Sequence, residues 1–175
     1  FKDEREKVGL ILKGPKPSIG EEKAMFIKKL ENALYMSMML SYAQGLELLR
    51  IASREKDYGL DISEVARIWR GGCIIRSAML NDFMEAFKKD PELPNLLFDD
   101  RLSASADLNE GDLRDVVIAA TTTGIPVPGF MSVLSYFDAY RSGHLAANLI
   151  QAQRDYFGSH TYQRVDEEGV FHTDW

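Results

Sequence analysis

Two side chains near the end of the sequence, Arg154 and His160, are of types that can bind a phosphate. They lie in the stretch Asn148 to His160 (NLIQAQRDYFGSH), in which a helical pattern is expected to end at Gly158. Both side chains would then project from the C-terminal end of this helix, in the same direction. An arginine fork forms charge-assisted bidentate bonds to phosphate, and an imidazole donates more strongly when protonated. The alternative, which these residues alone favour, is a structural role: Arg154 complements the helix dipole and His160 is an ordinary surface or core residue.

A second pattern places arginines on either side of a glycine pair, in the stretch Ile68 to Arg76 (IWRGGCIIR). The structural interpretation is favoured here, because an arginine is rarely buried unless it is paired. The glycines would admit another helix and the arginines would pair with acidic groups. Cys73 is expected to be a small buried hydrophobic residue rather than a nucleophile.

Complete catalytic motifs are missing from the sequence. Neither G-x-G-x-x-G nor the P-loop pattern occurs, and there is no serine nucleophile elbow and no H-E-x-x-H. Three histidines, at positions 144, 160 and 172, and one cysteine show no metal-ligand spacing, so no metal site is predicted. Taken alone, the sequence is typical of a helical interaction domain.

Composition narrows the class of protein. The chain has 175 residues, 45% of them hydrophobic and 27% charged, which is typical of one folded domain. A net charge of -6 without a basic stripe predicts no nucleic-acid partner, and the lack of a long apolar run or signal peptide predicts no membrane partner and no export. The single cysteine indicates a reducing compartment, so a cytoplasmic location is expected. Because the sequence begins without Met inside a charged run, it is predicted to be part of a longer chain.

The elements that must position these side chains are helices. Apolar residues recur at three- and four-residue steps, which predicts an all-α fold. One long helix is predicted over 21–54, with Pro15, Pro17 and Gly20 before it, and a second helix opens at Asp61 as its N-cap. Further helical patterns cover 74–89, 109–123, 130–140 and 145–158. Gly124 stands where a left-handed C-terminal cap of the helix over 109–123 is expected. A loop surrounds Pro91 and Pro94, and 161–165 is compatible with a short extended strand.

The predicted organisation is a helical domain over 1–158 and an extended tail over 159–175. The long helix and the aromatic tail together carry more apolar surface than a monomer of this size should expose. Surfaces of this kind bind partners, so a dimer is expected.

Several stretches, in this order, resemble the C-terminal helical domain of the 6-phosphogluconate dehydrogenase family. Residues 1–5 are similar to the family's Leu-Lys-Asp-Glu-Arg segment, and 35–45 to its helix with Ser-Tyr-Ala-Gln-Gly. The most specific matches are 68–76 (IWRGGCIIR), 124–128 (GIPVP), 136–142 (YFDAYRS) and 148–162 (NLIQAQRDYFGSHTY). The resemblance covers essentially the whole chain. Ala146 stands where the family commonly has Pro, a change that a helix start tolerates.

This resemblance implies the second part of an enzyme of the pentose phosphate pathway. Such an enzyme oxidises 6-phosphogluconate with NADP, releases CO2 and gives ribulose 5-phosphate. The domain that binds NADP, and the lysine and glutamate that act as acid and base, would precede Phe1. No catalytic or cofactor-binding residue is therefore expected here.

The resemblance also implies a homodimer in which the tail, 159–175, reaches the other subunit. Arg154 and His160 would contact the substrate phosphate in that subunit's site. The alternative from a different class is a non-catalytic helical binding or dimerisation module.

Overall fold

The computed structural model describes residues 1–16 and 18–175, so that Pro17 lies outside the described residues. These residues form seven α-helices and one short 3-10 helix, with no strand beyond an isolated antiparallel bridge between Tyr162 and Phe171. The predicted all-α class is confirmed. In chain order the helices are α1 (Lys2–Ile11), α2 (Lys23–Lys56), α3 (Ile62–Arg70), α4 (Met79–Lys89), the 3-10 helix (Leu96–Phe98), α5 (Asp100–Thr123), α6 (Pro128–Tyr140) and α7 (Asn148–Gly158).

The chain forms two compact units, Phe1–Ser135 and Tyr136–Trp175. In the first unit α2 packs along α5 and α3 packs on α4. Its core is made of fully buried aliphatic, methionine and phenylalanine side chains, among them Met36, Leu40, Leu46, Phe83 and Leu113. The second unit contains the end of α6, all of α7 and residues 159–175.

The long helix α2 has clear signals at both ends. The carboxylate of Glu22 accepts hydrogen bonds from the backbone N–H groups of Ala24 (3.0 Å) and Met25 (3.1 Å), which satisfies two donors of the first turn. Asp57 ends the helix in the left-handed conformation, at φ 55°. The predicted helix over 21–54 is thus confirmed, with bounds shifted by two residues.

Lys29 on α2 forms an ion pair with α5. Its ammonium lies 2.8 Å from a carboxylate oxygen of Asp115 on α5 and 2.7 Å from one of Glu21. The hydrogen bond to Asp115, and then that to Glu21, raise the pKa of Lys29 above its ordinary value, so the amine is protonated throughout the physiological range.

The structure differs from the prediction around the glycine pair. Gly71 caps α3, Gly72 has a positive φ of 143°, and α4 begins only at Met79 instead of residue 74. Cys73 lies in this connection and is exposed, so the prediction of a buried thiol is wrong. The spacing of the apolar residues Ile74, Ile75, Ala78 and Met79 suggested a helix, but the chain first has to turn at the surface.

Helix α5 begins nine residues before its predicted start. The carboxylate of Asp99 accepts from the backbone N–H groups of Arg101 (3.1 Å) and Leu102 (3.3 Å), which sets the first turn. Gly124 ends α5 in the left-handed conformation, φ 71°, as the sequence predicted. Helix α1 was not predicted, because residues 2–7 are all charged and show no apolar periodicity. None of its residues is buried.

Candidate functional site

Helix α7 places both predicted phosphate ligands at its C-terminal end. Arg154 lies in the last turns, α7 ends at Gly158, and His160 follows the capping residue Ser159. Both predicted side chains are exposed, as a group that binds a solute has to be. Nη1 of Arg154 donates to the side-chain oxygen of Gln151 at 3.1 Å, which orients the guanidinium along the helix.

The backbone around His160 is held in an uncommon conformation. Ser159 and Thr161, the residues on either side, have φ values of 50° and 62°. A positive φ is uncommon outside glycine, and for a β-branched residue such as threonine it is a true outlier. Such strain persists only where surrounding contacts enforce it, and it is concentrated at functional sites.

Three hydrogen bonds enforce this turn. The backbone N–H of Thr161 donates to Oδ1 of Asp155 at 2.9 Å, and the side-chain amide of Gln151 donates to the carbonyl of Thr161 at 2.5 Å. The hydroxyl of Thr161 donates to the carbonyl of His160 at 2.6 Å. Helix α7 therefore fixes the residue that follows His160 through side chains of two of its own residues.

Asp155 is the only charged residue in the described part of the chain whose side chain is completely buried, at 0% exposure. Both of its oxygens accept hydrogen bonds from the segment 161–175. Oδ1 accepts from the Thr161 N–H and lies 2.9 Å from Nδ1 of His172, while Oδ2 accepts from the Thr173 N–H (3.0 Å) and the Trp175 indole (3.1 Å). Because an ionised carboxylate can only accept, Nδ1 of His172 carries the proton in this bond.

These contacts decide the charge of Asp155. Burial acts to raise its pKa, but the hydrogen bonds from Thr173, His172, Trp175 and Thr161 outweigh it and hold the pKa at about 2. Because the pKa is lowered in the folded state, the ionised carboxylate stabilises the fold. This contribution is complete at pH values above the ordinary pKa of ~3.9. This contribution is lost as the pH falls through the folded value of about 2.

Sequence reasoning missed Asp155 and the two tail side chains that bind it, His172 and Trp175. One signal was present. Asp155 stands in the last turn of α7, where a carboxylate meets the negative end of the helix dipole and is unfavourable without specific partners.

A groove of about 630 Å³ lies on the first unit and contains none of the predicted site residues. Its walls are mainly apolar side chains of α2, α3 and α6, among them Leu34, Met38, Tyr42, Trp69, Phe130 and Val133. The hydroxyl of Tyr42 donates to the carbonyl of Ile75, which fixes one end of the groove. Such a groove suits an apolar partner rather than a phosphate.

Metal ligands do not cluster in residues 1–16 and 18–175, where no group of three His, Cys, Asp or Glu side chains could hold an ion. Over the same residues, no helix combines the length and the apolar character that crossing a membrane requires.

The C-terminal domain model of 6-phosphogluconate dehydrogenase matches residues 1–175, the whole chain. The chain belongs to the 6-phosphogluconate dehydrogenase family. The resemblance seen in the sequence is thereby confirmed, and the stretch that contains Arg154 and His160 is part of the matched domain.

Among relatives of this family, the decarboxylating 6-phosphogluconate dehydrogenase of Lactococcus lactis subsp. lactis (strain IL1403) is 50% identical over 175 residues, which are 100% of this chain and 37% of that protein. The NADP(+)-dependent, decarboxylating enzyme of Bacillus subtilis (strain 168) is 49% identical over 177 residues, covering 100% of this chain and 38% of the relative. The chain thus spans a little over a third of the length of these 6-phosphogluconate dehydrogenases.

A solved structure of Plasmodium falciparum 6-phosphogluconate dehydrogenase has the same fold, with a TM-score of 0.91 and 43% identity. The match covers 100% of this chain and 38% of that one. The Plasmodium enzyme is described in its apo form, in complex with its cofactor NADP+ and in complex with its substrate 6-phosphogluconate.

Proposed function

We propose that these residues are the C-terminal part of an enzyme that oxidises 6-phosphogluconate to ribulose 5-phosphate and CO2 while NADP is reduced to NADPH. The observation that carries the proposal is an identity of about half, over the whole chain, to enzymes named decarboxylating 6-phosphogluconate dehydrogenase. The reaction belongs to the pentose phosphate pathway, and a cytoplasmic location is consistent with the exposed thiol of Cys73.

The described residues do not fit NADP. A dinucleotide is bound at the carboxyl edge of a parallel sheet, by a glycine-rich turn that opens a helix. Residues 1–16 and 18–175 contain no β-sheet, only the isolated bridge between Tyr162 and Phe171, and the sequence has no such glycine-rich turn. We assign the cofactor, and the acid and base of the reaction, to the part of the enzyme outside this chain.

We assign Arg154 and His160 to the phosphate of 6-phosphogluconate. Both side chains are exposed, and α7 and the strained turn around His160 hold them at one helix end. The guanidinium binds phosphate oxygens through charge-assisted bonds, and the imidazole adds one donor. In this proposal both groups bind and orient the substrate and take no part in proton transfer.

We further infer a homodimer whose tail enters the partner's site. Large apolar side chains that a monomer would leave in water lie along α2, among them Met25, Ile27, Leu34 and Leu48, and along α7, among them Leu149, Ile150 and Phe157. Apolar surface of this extent is a mark of a protein interface. Neither nucleic acid nor membrane is a partner in this proposal, which the net charge of -6 supports.

The chain alone should not reduce NADP with 6-phosphogluconate, because it lacks a cofactor site and an acid and base. The assay follows NADPH absorbance, with the full-length protein as the positive control. Turnover that scales with the amount of purified chain and is absent from a mock preparation would contradict this. A full-length protein that folds and binds neither compound would instead favour the non-catalytic module.

Replacing Gly158 by alanine should weaken substrate binding without weakening α7. A Cβ at this position would lie 3.0 Å from Cδ2 and Nε2 of His160, so the imidazole has to move by a few tenths of an ångström. In the full-length enzyme we expect the KM for 6-phosphogluconate to rise roughly threefold to tenfold, since small displacements of a binding group are costly. Alanine is itself the better helix former by ~1 kcal/mol, so the melting temperature should not fall.

Gly111→Ala is the matched control, because Gly111 lies in α5 and the added Cβ would meet no atom within 4 Å apart from its chain neighbours and the backbone of its own helix. Its KM should equal that of the wild type. Equal KM values for both variants would show that the position of His160 does not matter for the substrate.

A further inference from the structure

The buried carboxylate of Asp155 serves the tail rather than its own helix. Its four donors are the backbone N–H groups of Thr161 and Thr173 and the rings of His172 and Trp175, all of them beyond the end of α7. A carboxylate in the last turn of a helix is electrostatically unfavourable there. Burying this charge is tolerable only because each carboxylate oxygen accepts two hydrogen bonds.

The tail is a loop whose two ends meet at this carboxylate. Tyr162 and Phe171 close the loop with two backbone hydrogen bonds, of 2.9 and 2.8 Å, and their rings stack at 6.2 Å. The hydroxyls of Tyr162 and Thr173 lie 2.7 Å apart and bind the same two chain segments together. Residue 161 at the start of the loop and residues 172–175 at its end are therefore fastened to one side chain.

One hydrogen bond of this set connects the chain next to Arg154 with the chain next to His160. Its acceptor, Asp155, is the neighbour of Arg154 in the chain, and its donor, Thr161, is the neighbour of His160. The backbone of Thr161 has a positive φ of 62°, which a threonine adopts only under constraint. The carboxylate provides part of that constraint, beside the Gln151 amide that binds the Thr161 carbonyl, and it thereby helps to set the spacing between the helix end and the imidazole.

We propose that Asp155 is a positioning residue for the substrate-phosphate site, holding His160 in place relative to Arg154 by fastening the tail to the last turn of α7. This inference rests on the proposed function, because it assumes that Arg154 and His160 bind the phosphate. Asp155 touches neither substrate nor reacting atoms, and it acts through the turn at residues 159–161.

The test is Asp155→Asn in the full-length enzyme. Asparagine has the same shape, but its amide nitrogen would face donors that need an acceptor. We expect the KM for 6-phosphogluconate to rise about tenfold while kcat and the KM for NADP change less than twofold. In hydrogen exchange, the amides of Thr161 and Thr173 should lose their protection, which reports the tail directly.

Asp166→Asn is the matched control. Asp166 is a carboxylate of the same tail, but it is exposed and binds Arg164 at the surface, at 2.8 Å. This variant should keep the wild-type KM and the wild-type protection of both amides. If Asp155→Asn fails to fold, Trp175→Phe removes a single donor and keeps an aromatic ring against Tyr156, and it should shift the KM in the same direction by a smaller factor.

A positioning role predicts one result that a merely structural role does not. In a His160→Ala background, Asp155→Asn should raise the KM little further, because the group that it positions is already gone. A full tenfold rise in that background would overturn the proposal. The proposal would also be overturned if Asp155→Asn left the KM for 6-phosphogluconate unchanged while the Thr161 and Thr173 amides lost their protection from hydrogen exchange.

The proposed function fails by a different result. If Arg154→Ala and His160→Ala leave the KM for 6-phosphogluconate unchanged, the phosphate assignment is wrong. The exchange of the Thr161 and Thr173 amides would then still report whether Asp155 fastens the tail.

Discussion

Replacing Arg154 by alanine in the full-length enzyme should raise the KM for 6-phosphogluconate by roughly 10- to 150-fold, which corresponds to the ~1.5 to 3 kcal/mol of a charge-assisted hydrogen bond. The KM for NADP should stay within about twofold, because in the proposed site Arg154 binds the substrate phosphate and not the cofactor. The fold should survive, because the guanidinium is exposed and its hydrogen bond is to Gln151 of its own helix. Steady-state kinetics with each substrate varied in turn measures both constants.

Two further variants test whether the effect depends on the geometry of the Arg154 side chain and on its position in the chain. Arg154→Lys keeps the charge but loses the bidentate fork, so its KM should lie between those of the wild type and Arg154→Ala. Arg164→Ala removes an arginine of the same unit that is paired with Asp166 and Glu167 at the surface, and it should leave both KM values unchanged. A KM for 6-phosphogluconate that Arg154→Ala does not move would make the arginine structural.

Most of the fold could be predicted because the signals are local. Asp61 caps α3 through the N–H groups of Ser63 and Glu64, and Gly124 ends α5, as residue type and spacing indicated. The errors arose where periodicity and turn chemistry disagreed. Leu102 and Leu108 are the only large apolar residues in 100–108, so the first turns of α5 gave little apolar signal. Ile74 and Ile75 gave a stronger apolar signal, but they have to follow the turn at Gly72.

The candidate site was predictable only in part. Arg154 and His160 have side chains suited to phosphate and stand at a helix end, and the family resemblance gave them a role. Asp155 could not be found in this way. Its partners lie 6 to 20 residues further along a tail without periodicity, so that only the folded chain brings them to one carboxylate.

A heterodimer of two defective subunits should recover activity if the tail acts in the partner's site. One subunit carries Arg154→Ala and His160→Ala. The other lacks the upstream lysine that, together with a glutamate, the family resemblance assigns to the acid and base roles. In the heterodimer, one site would combine an intact lysine with an intact tail, and the other would have both defects. We expect about half of the wild-type activity per dimer, since one of two equivalent sites works.

The measurement uses two affinity tags, one on each subunit, and assays only the protein that both tags retain. Each defective homodimer is assayed alone as a control, at a substrate concentration below the KM of the wild type. If Arg154 and His160 instead served the site of their own subunit, each site of the heterodimer would carry one defect and no activity would return. Failure to recover any doubly tagged protein would contradict the homodimer itself. Recovery of activity, in contrast, requires that the α7 end of one subunit and the acid and base of the other subunit meet at one substrate.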